Sequence, residues 1–312
     1  MIIRSVLVLG GSGFIGRHVV RQLVARGLAV RVPARSRERA KNLILLPTVD
    51  LVEADIGDDA TLRRLVRSSD AVVNLVGILH GDFERTHVEL PRRIVAACKQ
   101  AGVRRFVHLS ALKAAVDAPS AYLRSKARAE MLIRDAQDER FQTTILQPSV
   151  IFGHEDRFLN LFADLARMLP AIALASPQAR FQPLHVDDVA RAAVAALDDP
   201  RTFGQTYQLC GPRVYTLREL VEYVVRTLGL RRPVIGLNRT LSMLQARILE
   251  HLPGTLMTRD NVLSMQVDNV CDCAFPEVFG FAPAPMEAVV PVYIAGVTPR
   301  LRYRWFRFRA RR

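Results

Sequence analysis

The sequence predicts an α/β protein, a Rossmann-type doubly wound parallel sheet with a smaller C-terminal lobe, on three observations. An apolar run of strand type, Val6 to Leu9, leads directly into glycines at positions 10, 13 and 16. Apolar residues at helical spacing follow at once. Strand-like and helix-like segments then alternate to about residue 150. This alternation is typical of a parallel sheet whose ligand lies at the carboxyl ends of the strands.

The glycine-rich turn predicts a nucleotide site. Gly10 and Gly13 permit a tight turn in which a pyrophosphate lies against bare backbone, and Gly16 allows the next helix to pack against the strand. The first N–H groups of that helix then face the phosphates at the positive end of the helix dipole. The cofactor contacts predicted in this turn are Gly10, Ser12, Gly13, Phe14, Ile15 and Gly16.

The end of the second strand, Ala29 to Ala34, predicts which nicotinamide cofactor binds. An acid there would bind the ribose hydroxyls of NAD, whereas an arginine would accept the extra phosphate of NADP. The chain has Arg35 and Arg37 at this point and no acid before Glu38. NADP(H) is therefore favoured over NAD(H), with Arg35 as the phosphate ligand. The alternative is that both arginines are the solvated start of the next helix.

Three further strands are predicted, at 50–53, 71–76 and 105–109. Asp55 follows the first of them and either binds the adenine amino group or caps the helix predicted at 58–66. A helix is expected from about Phe83 to Gln100, with Pro91 kinking it or resetting its start. The remaining predicted cofactor contacts beside the adenosine and nicotinamide are Asn74, Val76, Gly77, Leu109, Tyr122, Lys126 and Pro148.

Three residues are candidates for chemistry. Tyr122 and Lys126 are four apart on a predicted helix and therefore share one face. A tyrosine can exchange a proton with a carbonyl or alcohol if a nearby ammonium lowers its pKa, and Lys126 can supply that charge while binding the nicotinamide ribose. Ser110, which closes the fifth strand, can polarise the same substrate oxygen.

Taken together, these motifs resemble the short-chain dehydrogenase/reductase superfamily, in its extended form. The motifs are GGSGFIG at 10–16, the serine that closes strand five, YLRSK at 122–126, QPSVIFG at 147–153 and HVDDVA at 185–190. A closer similarity is to the atypical subgroup that includes the NADPH-carrying accessory subunit of mitochondrial complex I and its bacterial relatives. It rests on NLVGIL at 74–79, SAYLRSKARAE at 120–130, LQARILEHLPG at 244–254 and LMTRDNV at 256–262. The resemblance implies a tightly held NADPH and a role near quinone chemistry or the inner membrane.

The chain departs from the superfamily pattern at three places. His87 stands near the position where the superfamily commonly has an asparagine; it either joins a proton relay or is a surface or packing residue. Only eleven residues separate Ser110 from Tyr122, a shorter segment than in nucleotide-sugar epimerases, and Gln147 stands where an arginine is frequent. These departures, together with Arg35, disfavour a sugar-nucleotide substrate.

Residues 1–150 are predicted to form the NAD(P)-binding domain, completed by about 184–199. Residues 151–183 and 200–298 are assigned to the smaller lobe with returning elements. This lobe includes an amphipathic helix from Phe158 that ends at Pro170, with an apolar continuation from Ala171 to Ala175, and a second helix at 241–252. We expect these elements to cover the nicotinamide. Their apolar residues suit a hydrophobic substrate, such as a quinone-like ring, or ordinary lobe core.

The tail, residues 299–312, is basic and aromatic. Residues 300–312 contain seven arginines and no acid, half of the formal net charge of +14. Arginine interleaved with aromatic rings suits the headgroup region of an anionic bilayer, so Arg300–Arg312 predicts a membrane-surface contact. A solvated tail and single-stranded nucleic acid are the alternatives; no nucleic-acid partner is expected, because nothing else in the chain is typical of such a module.

The apolar N-terminus is interpreted as the first strand and not as a signal peptide, because the glycine turn begins within ten residues and no cleavage site follows. No run of eighteen apolar residues exists, so no transmembrane helix is expected. The four cysteines are expected to be ordinary thiols, and Cys271-Asp272-Cys273 lacks the spacing of a zinc site. We therefore expect a cytoplasmic protein, peripheral to the inner membrane, without a metal.

Three functions follow as hypotheses. The first is an NADPH-dependent oxidoreductase that acts on a hydrophobic carbonyl or quinone-type substrate, with Tyr122 as acid/base. The second is a non-catalytic factor that retains NADPH and supports a respiratory or ubiquinone-synthesis complex, since a ligand that binds only the native state stabilises it. The third, disfavoured above, is an NAD-dependent nucleotide-sugar epimerase or dehydratase.

Overall fold

A computed structural model of the protein describes residues 2–251 and 257–295. The strands, in chain order, are β1 (Ser5–Leu9), β2 (Ala29–Ala34), β3 (Val49–Glu53), β4 (Ala71–Asn74), β5 (Arg105–Leu109), β6 (Gln142–Pro148), β7 (Ile151–Phe152), β8 (Ile172–Leu174), β9 (Arg180–Phe181), β10 (Leu184–His185), β11 (Gln205–Leu209), β12 (Tyr215–Thr216) and β13 (Val234–Gly236). The α-helices are α1 (Phe14–Ala25), α2 (Lys41–Ile44), α3 (Asp59–Val66), α4 (Leu90–Ala101), α5 (Ala121–Asp135), α6 (Leu159–Met168), α7 (Val186–Ala195), α8 (Leu217–Thr227), α9 (Arg239–Leu249), α10 (Arg259–Ser264) and α11 (Met286–Ile294).

The main sheet has seven strands in the order β11-β6-β5-β4-β1-β2-β3, and each neighbouring pair runs parallel. The chain builds outward from β1 through β2 to β3, then returns to place β4 on the other side of β1. The strand order therefore reverses between β1 and β4, and ligands of open α/β sheets bind at such a point. The predicted fold class, a doubly wound parallel sheet, is confirmed.

Several element boundaries follow local sequence signals. The strands β2 and β5 have the predicted bounds. The helix expected from Phe83 is a π-helical segment, Glu84–Glu89, that continues directly into α4. Pro91 lies in the first turn of α4, where its missing N–H is tolerated best. The wider π turn before it thus allows the helix to continue across the proline.

Other boundaries differ from the prediction. The helix α3 is capped by Asp58, whose carboxylate accepts the Thr61 N–H at 2.7 Å. Asp55 instead accepts the Gly57 N–H at 2.8 Å, so of the two alternatives for Asp55 the helix cap is wrong. The helix predicted from Phe158 to Pro170 is α6, which ends at Met168. The apolar continuation after Pro170 forms the strand β8, which pairs with β13 in parallel.

The chain divides into two compact units. The first comprises Met1–Pro148, Val186–Leu209 and Cys271–Phe281 and contains the seven-stranded sheet. The second comprises Ser149–His185, Cys210–Val270 and Ala282–Arg312, and its core is built mainly from α6, α8 and α11. The edge strand β11, within residues 200–298, returns to the first unit and pairs with β6 there. The tail at 299–312 lies outside the described residues.

The cysteines do not all match their prediction. Cys98 and Cys273 are free, whereas Cys210 and Cys271 are disulfide-bonded. The expectation of four thiols is therefore wrong for two of them, because spacing along the chain does not show which residues meet in space. Across residues 2–251 and 257–295, the structure contains no helix that is both long and apolar enough to cross a bilayer.

Arg105 is a fully buried charged residue that joins three parts of the first unit. Its guanidinium Nη1 donates to the Gln142 carbonyl at 2.9 Å, and Nε donates to the Ala196 carbonyl at 3.1 Å. Nη2 donates to Thr202 Oγ1 at 3.1 Å, and the guanidinium carbon lies 4.5 Å from the centre of the Phe203 ring. One side chain thus links β5 and β6 to the carboxyl end of α7.

We expect Arg105→Met to lower the free energy of unfolding by about 3–5 kcal/mol, because it leaves several buried carbonyl and hydroxyl oxygens without a donor. The neighbouring Arg104 is exposed, so Arg104→Met is the matched control and should change stability by less than about 0.5 kcal/mol. Urea unfolding of both variants measures the difference. Equal stabilities would show that the buried bonds contribute nothing net.

Candidate active site

The glycine-rich turn has the geometry that a dinucleotide requires. Gly10 has a φ of +80°, which disfavours any side chain, and a Cβ there would lie 3.1 Å from the Leu75 carbonyl carbon after β4. A Cβ at Gly16 would lie 2.2 Å from the Gly10 carbonyl oxygen. Gly13 stands at the N-terminus of α1, and no side chain caps that helix within the described part of the chain. The first-turn N–H groups are therefore positioned for an anion.

The end of β2 presents the predicted phosphate ligand. Ala34 is buried as the last residue of the strand, and Arg35 is exposed immediately after it. The guanidinium of Arg35 makes no hydrogen bond or ion pair with any other residue that the structure describes. Asp55 is exposed beyond the neighbouring strand β3. Arg35 and Asp55 thus lie past the carboxyl ends of adjacent strands. A 2′-phosphate bound at Arg35 would contact a guanidinium whose charge no other described residue neutralises.

The end of β4 lies between the glycine turn and the catalytic candidates. Asn74 Oδ1 accepts the Val76 N–H at 3.2 Å, and its amide nitrogen lies 3.1 Å from His108 Nδ1. A Cβ at Gly77 would lie 3.4 Å from Lys126 Nζ. Glycine at this position therefore lets the lysine approach the backbone closely. The segment of Asn74, Val76 and Gly77 and the distant Lys126, both predicted as cofactor contacts, are brought together here.

Lys126 is buried in the first unit, with a side-chain ammonium that donates to the Leu109 carbonyl at 3.1 Å. Burial lowers the pKa of Lys126 to about 8, and the carboxylate of Glu130 one turn later opposes that shift. The ammonium form is still the major one at neutral pH. A buried positive charge is thus fixed at the carboxyl end of β5, where the nicotinamide half of a dinucleotide is expected.

Tyr122 lies in the first turn of α5, which is capped by Ser120 through the Leu123 N–H at 3.2 Å. Its ring contacts Phe83 and His87 edge to face, with centroids 5.9 and 5.6 Å away. Burial raises the pKa of Tyr122 to about 12. The sequence predicted a lowered pKa, so the direction is opposite. The phenol therefore carries its proton at neutral pH, as a proton donor must.

His87 is a buried positioning residue. Its Nε2 accepts the Ile78 N–H at 3.0 Å, and Nδ1 lies 2.9 Å from Ser125 Oγ. Because a backbone N–H can only donate, Nδ1 must bear the ring proton and donate it to Ser125, whose hydroxyl donates to the Tyr122 carbonyl at 2.7 Å. Both ring nitrogens are thus occupied, so the surface interpretation is wrong and the structure gives no support to a proton relay.

This burial predicts a pH dependence of stability. Burial, aided by the charge of Lys126, lowers the pKa of His87 from 6.5 to about 3. Below pH 6.5 this histidine binds a proton in the unfolded chain but not in the folded protein. The free energy of unfolding therefore falls as the pH falls. Between pH 7 and pH 5 this residue alone should remove about 2 kcal/mol of the free energy of unfolding.

We expect His87→Gln to reduce that loss by about 2 kcal/mol, measured as urea unfolding at the two pH values. His80→Gln is the matched control, since it makes the same chemical change at an exposed position of the same segment. The same steep loss in His87→Gln would contradict a neutral buried imidazole.

Ser110 takes part in a buried network centred on Glu130. The Ser110 hydroxyl lies 2.5 Å from one carboxylate oxygen of Glu130, and the Gln147 amide donates to the same oxygen at 2.8 Å. Arg134 donates to the other oxygen at 2.7 Å. The Ser110 proton is thus engaged by a carboxylate. To polarise a substrate carbonyl, the Ser110 hydroxyl would have to leave Glu130 and donate to the substrate oxygen instead. That role stays a prediction.

Glu130 and Ser125 were missed from the sequence. Tyr122, Lys126 and Glu130 recur every four residues, so the signal for a third residue on this face of α5 was present. Nothing local distinguishes a buried carboxylate from a solvated one, because charged residues at this spacing are common on exposed helix faces. The remaining predicted contact, Pro148, ends β6, where its carbonyl accepts the Leu112 N–H at 3.0 Å.

The fold and the site together define a class. A parallel sheet with a glycine turn at its switch point, an uncapped helix after it, and a tyrosine–lysine helix at the end of β5 are the features of a dinucleotide-binding protein of the short-chain dehydrogenase/reductase type. The chain belongs to the NAD dependent epimerase/dehydratase family, whose model matches residues 6–210. Members of this family bind a nicotinamide cofactor.

Two relatives are similar over much of the chain. The mitochondrial NADH dehydrogenase (ubiquinone) 1 alpha subcomplex subunit 9 of Mus musculus is 38% identical over 227 residues, which cover 70% of this chain and 59% of the mouse protein. The mitochondrial NADH-ubiquinone oxidoreductase 40 kDa subunit of Neurospora crassa is 31% identical over 299 residues, 93% of this chain and 76% of that protein. The predicted resemblance to this subgroup is confirmed.

Solved structures share the fold at lower identity. An NADPH-dependent quinone oxidoreductase from Escherichia coli, in complex with NADPH, has a TM-score of 0.72 at 18% identity and covers 95% of this chain and 99% of its own. A UDP-glucose 4-epimerase from Thermotoga maritima, with UDP-glucose, also has a TM-score of 0.72 at 17% identity, covering 95% and 99%. At these identities the likeness concerns the fold alone.

Proposed function

We propose that the protein is an NADPH-dependent oxidoreductase that reduces a hydrophobic carbonyl or quinone-type substrate at the surface of the inner membrane. The observation that most supports it is the position of Tyr122 one helical turn from the buried Lys126 in α5, whose ammonium donates to the Leu109 carbonyl at the end of β5 at 3.1 Å. A reduction needs a proton donor beside the substrate oxygen. The cofactor, when bound, supplies hydride to the substrate carbon.

Residues of the chain would supply the proton, stabilise the charge that remains and hold the tyrosine in position. Tyr122 donates its proton to the substrate oxygen, so that a carbonyl becomes an alcohol. Lys126 stabilises the phenolate that remains, because its ammonium is held in a site of low polarity. The His87–Ser125 hydrogen bonds fix the first turn of α5, since Ser125 binds the Tyr122 carbonyl at 2.7 Å. Water then returns the proton to Tyr122.

The cofactor preference rests on Arg35. A guanidinium at the end of β2 can bind the 2′-phosphate of NADP bidentately, and Arg35 is exposed there with no acid beside it in the sequence. The predicted contacts Gly10, Gly13 and Gly16 would hold the pyrophosphate. Asp55 would bind the adenine amino group. We therefore propose NADP(H) and not NAD(H) as the bound cofactor.

The substrate class rests on the loops at the same edge of the sheet. Leu79, which follows β4, is 56% exposed, and Val116, which follows β5, is 58% exposed. Residues 74–79 contain no charged side chain. Lys113 in the second loop is paired with Asp272 at 2.6 Å. Asp82 and Asp117 are also exposed in these two loops, but the exposed apolar side chains of Leu79 and Val116 suit a ring or isoprenoid chain better than a nucleotide sugar.

To test the proposed activity, the purified protein is mixed with NADPH and with each member of a panel of short-chain quinones and hydrophobic ketones. Oxidation of NADPH is followed as the loss of absorbance by its reduced nicotinamide. We expect oxidation of NADPH in the presence of at least one member of the panel, and a slower rate with NADH. Retention of NADPH without oxidation by any member would overturn the catalytic proposal. A preference for NAD with binding of a UDP-sugar would instead favour an epimerase.

A second candidate is a factor that retains NADPH without turnover and supports a respiratory or ubiquinone-synthesis complex. It is favoured by the relatives, which are named as subunits of NADH-ubiquinone oxidoreductase. A bound ligand at a thousandfold excess over its Kd stabilises the folded state by about 4 kcal/mol, enough for a structural role. Co-purification with a membrane complex, lost when residues 300–312 are deleted, would support this candidate and the proposed membrane contact of the tail.

A further inference from the structure

The helix α9 in the second unit has an apolar face that no other described residue covers. Leu241, Leu244 and Ile248 are 47%, 53% and 58% exposed. Their spacing of three and four residues places them on one side of the helix. The buried residues of α9, Ser242 and Ala246, lie on the opposite side. The helix therefore packs through small residues and presents large aliphatic ones to solvent.

The apolar face continues onto the two-stranded sheet beside it. Gln245 of α9 donates to the Ala173 carbonyl in β8 at 3.0 Å. In β13, Ile235 pairs with Ala173 and is 55% exposed. We use the name α9 face for the side chains of Ile235, Leu241, Leu244 and Ile248. Exposed apolar side chains grouped in this way mark an interaction site more often than single ones do.

The charge around the α9 face is mainly positive. The two segments that build it, residues 165–185 and 228–249, contain six arginines and no aspartate or glutamate, and the acid that follows α9, Glu250, is paired with Arg259 at 2.8 Å. Two of these arginines are paired with acids elsewhere in the unit, Arg167 with Asp164 and Arg180 with Asp268. The exposed arginines 231, 239 and 247 make no ion pair with the other described residues. The surroundings are thus cationic as well as apolar.

We propose that the α9 face docks on an anionic lipid bilayer, with its aliphatic side chains below the headgroups and its arginines at the lipid phosphates. Helices that lie in the membrane interface combine an apolar face with arginine or lysine on the flanks, and α9 has both without an acid in the helix. A protein partner would need a surface that is both apolar and acidic, whereas an anionic bilayer offers both over its whole area. The inference rests on the membrane location proposed above and assigns it to a folded surface, separate from the tail.

The test measures partition of the full-length protein onto vesicles by flotation, with phosphatidylcholine alone or with phosphatidylglycerol added to about one third. The variant is the double substitution Leu244→Glu with Ile248→Glu. Its matched control is Ile44→Glu with Leu45→Glu, because those residues are 48% and 87% exposed in the first unit and the charge change is the same. Retention of NADPH by each variant shows that it is folded, and its NADPH oxidation without vesicles tests the proposed activity separately.

We expect wild type to bind the anionic vesicles, with weaker binding to phosphatidylcholine alone. The α9 variant should lose partition at least tenfold, as expected when two apolar side chains no longer insert, and the control should change less than twofold. Unchanged partition of the α9 variant would overturn the proposal and leave the tail as the membrane contact. If wild type is a dimer, and the α9 variant is a monomer that still binds vesicles as wild type does, the proposal is overturned. The α9 face would then be the contact with a second copy of the chain.

Discussion

Replacing Tyr122 with phenylalanine is expected to slow NADPH oxidation by at least about 100-fold, because a positioned proton donor contributes that factor or more to such a reaction. The substitution removes one oxygen and leaves the ring contacts with Phe83 and His87 in place. Binding of NADPH should change by less than about threefold, since the pyrophosphate and 2′-phosphate sites lie elsewhere. Steady-state rates with the best substrate of the panel, together with NADPH titration, measure both effects.

Tyr223→Phe is the control for this experiment. Tyr223 is a partly buried tyrosine that packs against the core of the second unit, so the same chemical change there should leave the rate unaltered. If Tyr122→Phe retains the rate of wild type, Tyr122 is not the proton donor. If both variants and wild type hold NADPH without oxidising it, the structural candidate gains support.

Gly16→Ala is expected to lower the free energy of unfolding by about 2–3 kcal/mol and to abolish measurable nucleotide binding. A Cβ at this position would lie 2.2 Å from the Gly10 carbonyl oxygen and 2.5 Å from the Gly11 Cα. Both are backbone atoms, so relief requires α1 to move away from the turn, a strain of the size found on overpacking a core. Thermal unfolding and NADPH titration measure the two losses.

Gly13→Ala separates packing from ligand contact in the same turn. The Cβ would lie 3.2 Å from the Gly10 carbonyl oxygen, and the backbone at this position has a φ of −76°, which alanine adopts readily. Stability should therefore fall by less than about 1 kcal/mol, while NADPH affinity falls because the methyl group occupies the approach of the pyrophosphate. Equal stabilities of the Gly13 and Gly16 variants would contradict the close packing of α1 on the turn.

The sequence was sufficient for those parts of the fold that depend on local patterns. The strands β2 and β5 were predicted to the residue, because each is a short, mostly apolar segment that ends at a polar residue, Arg35 or Ser110. The glycine turn and the Tyr122–Lys126 pair were found because their spacing has a fixed geometric meaning on a turn or helix. The parallel direction of the strands followed from their alternation with helices.

Features that depend on distant contacts were not predictable in this way. The Ser110 hydroxyl contacts Glu130, twenty residues later, and only the packing of α5 on the sheet brings them together. The raised pKa of Tyr122 has the same origin, since burial outweighs the effect that spacing suggested for Lys126. Likewise β8 formed within a segment of apolar character because β13, some sixty residues away, supplies its hydrogen-bonding partner.

The identity of the nucleotide that the protein retains tests the central claim most directly. The protein is purified without added nucleotide, the bound molecule is released by denaturation, and it is identified by mass and absorbance alongside Arg35→Ala. We predict NADP(H) in wild type and a marked loss of it in the variant, because Arg35 is the proposed ligand of the 2′-phosphate. Recovery of NAD(H) from wild type, or undiminished NADP(H) in Arg35→Ala, would contradict the account.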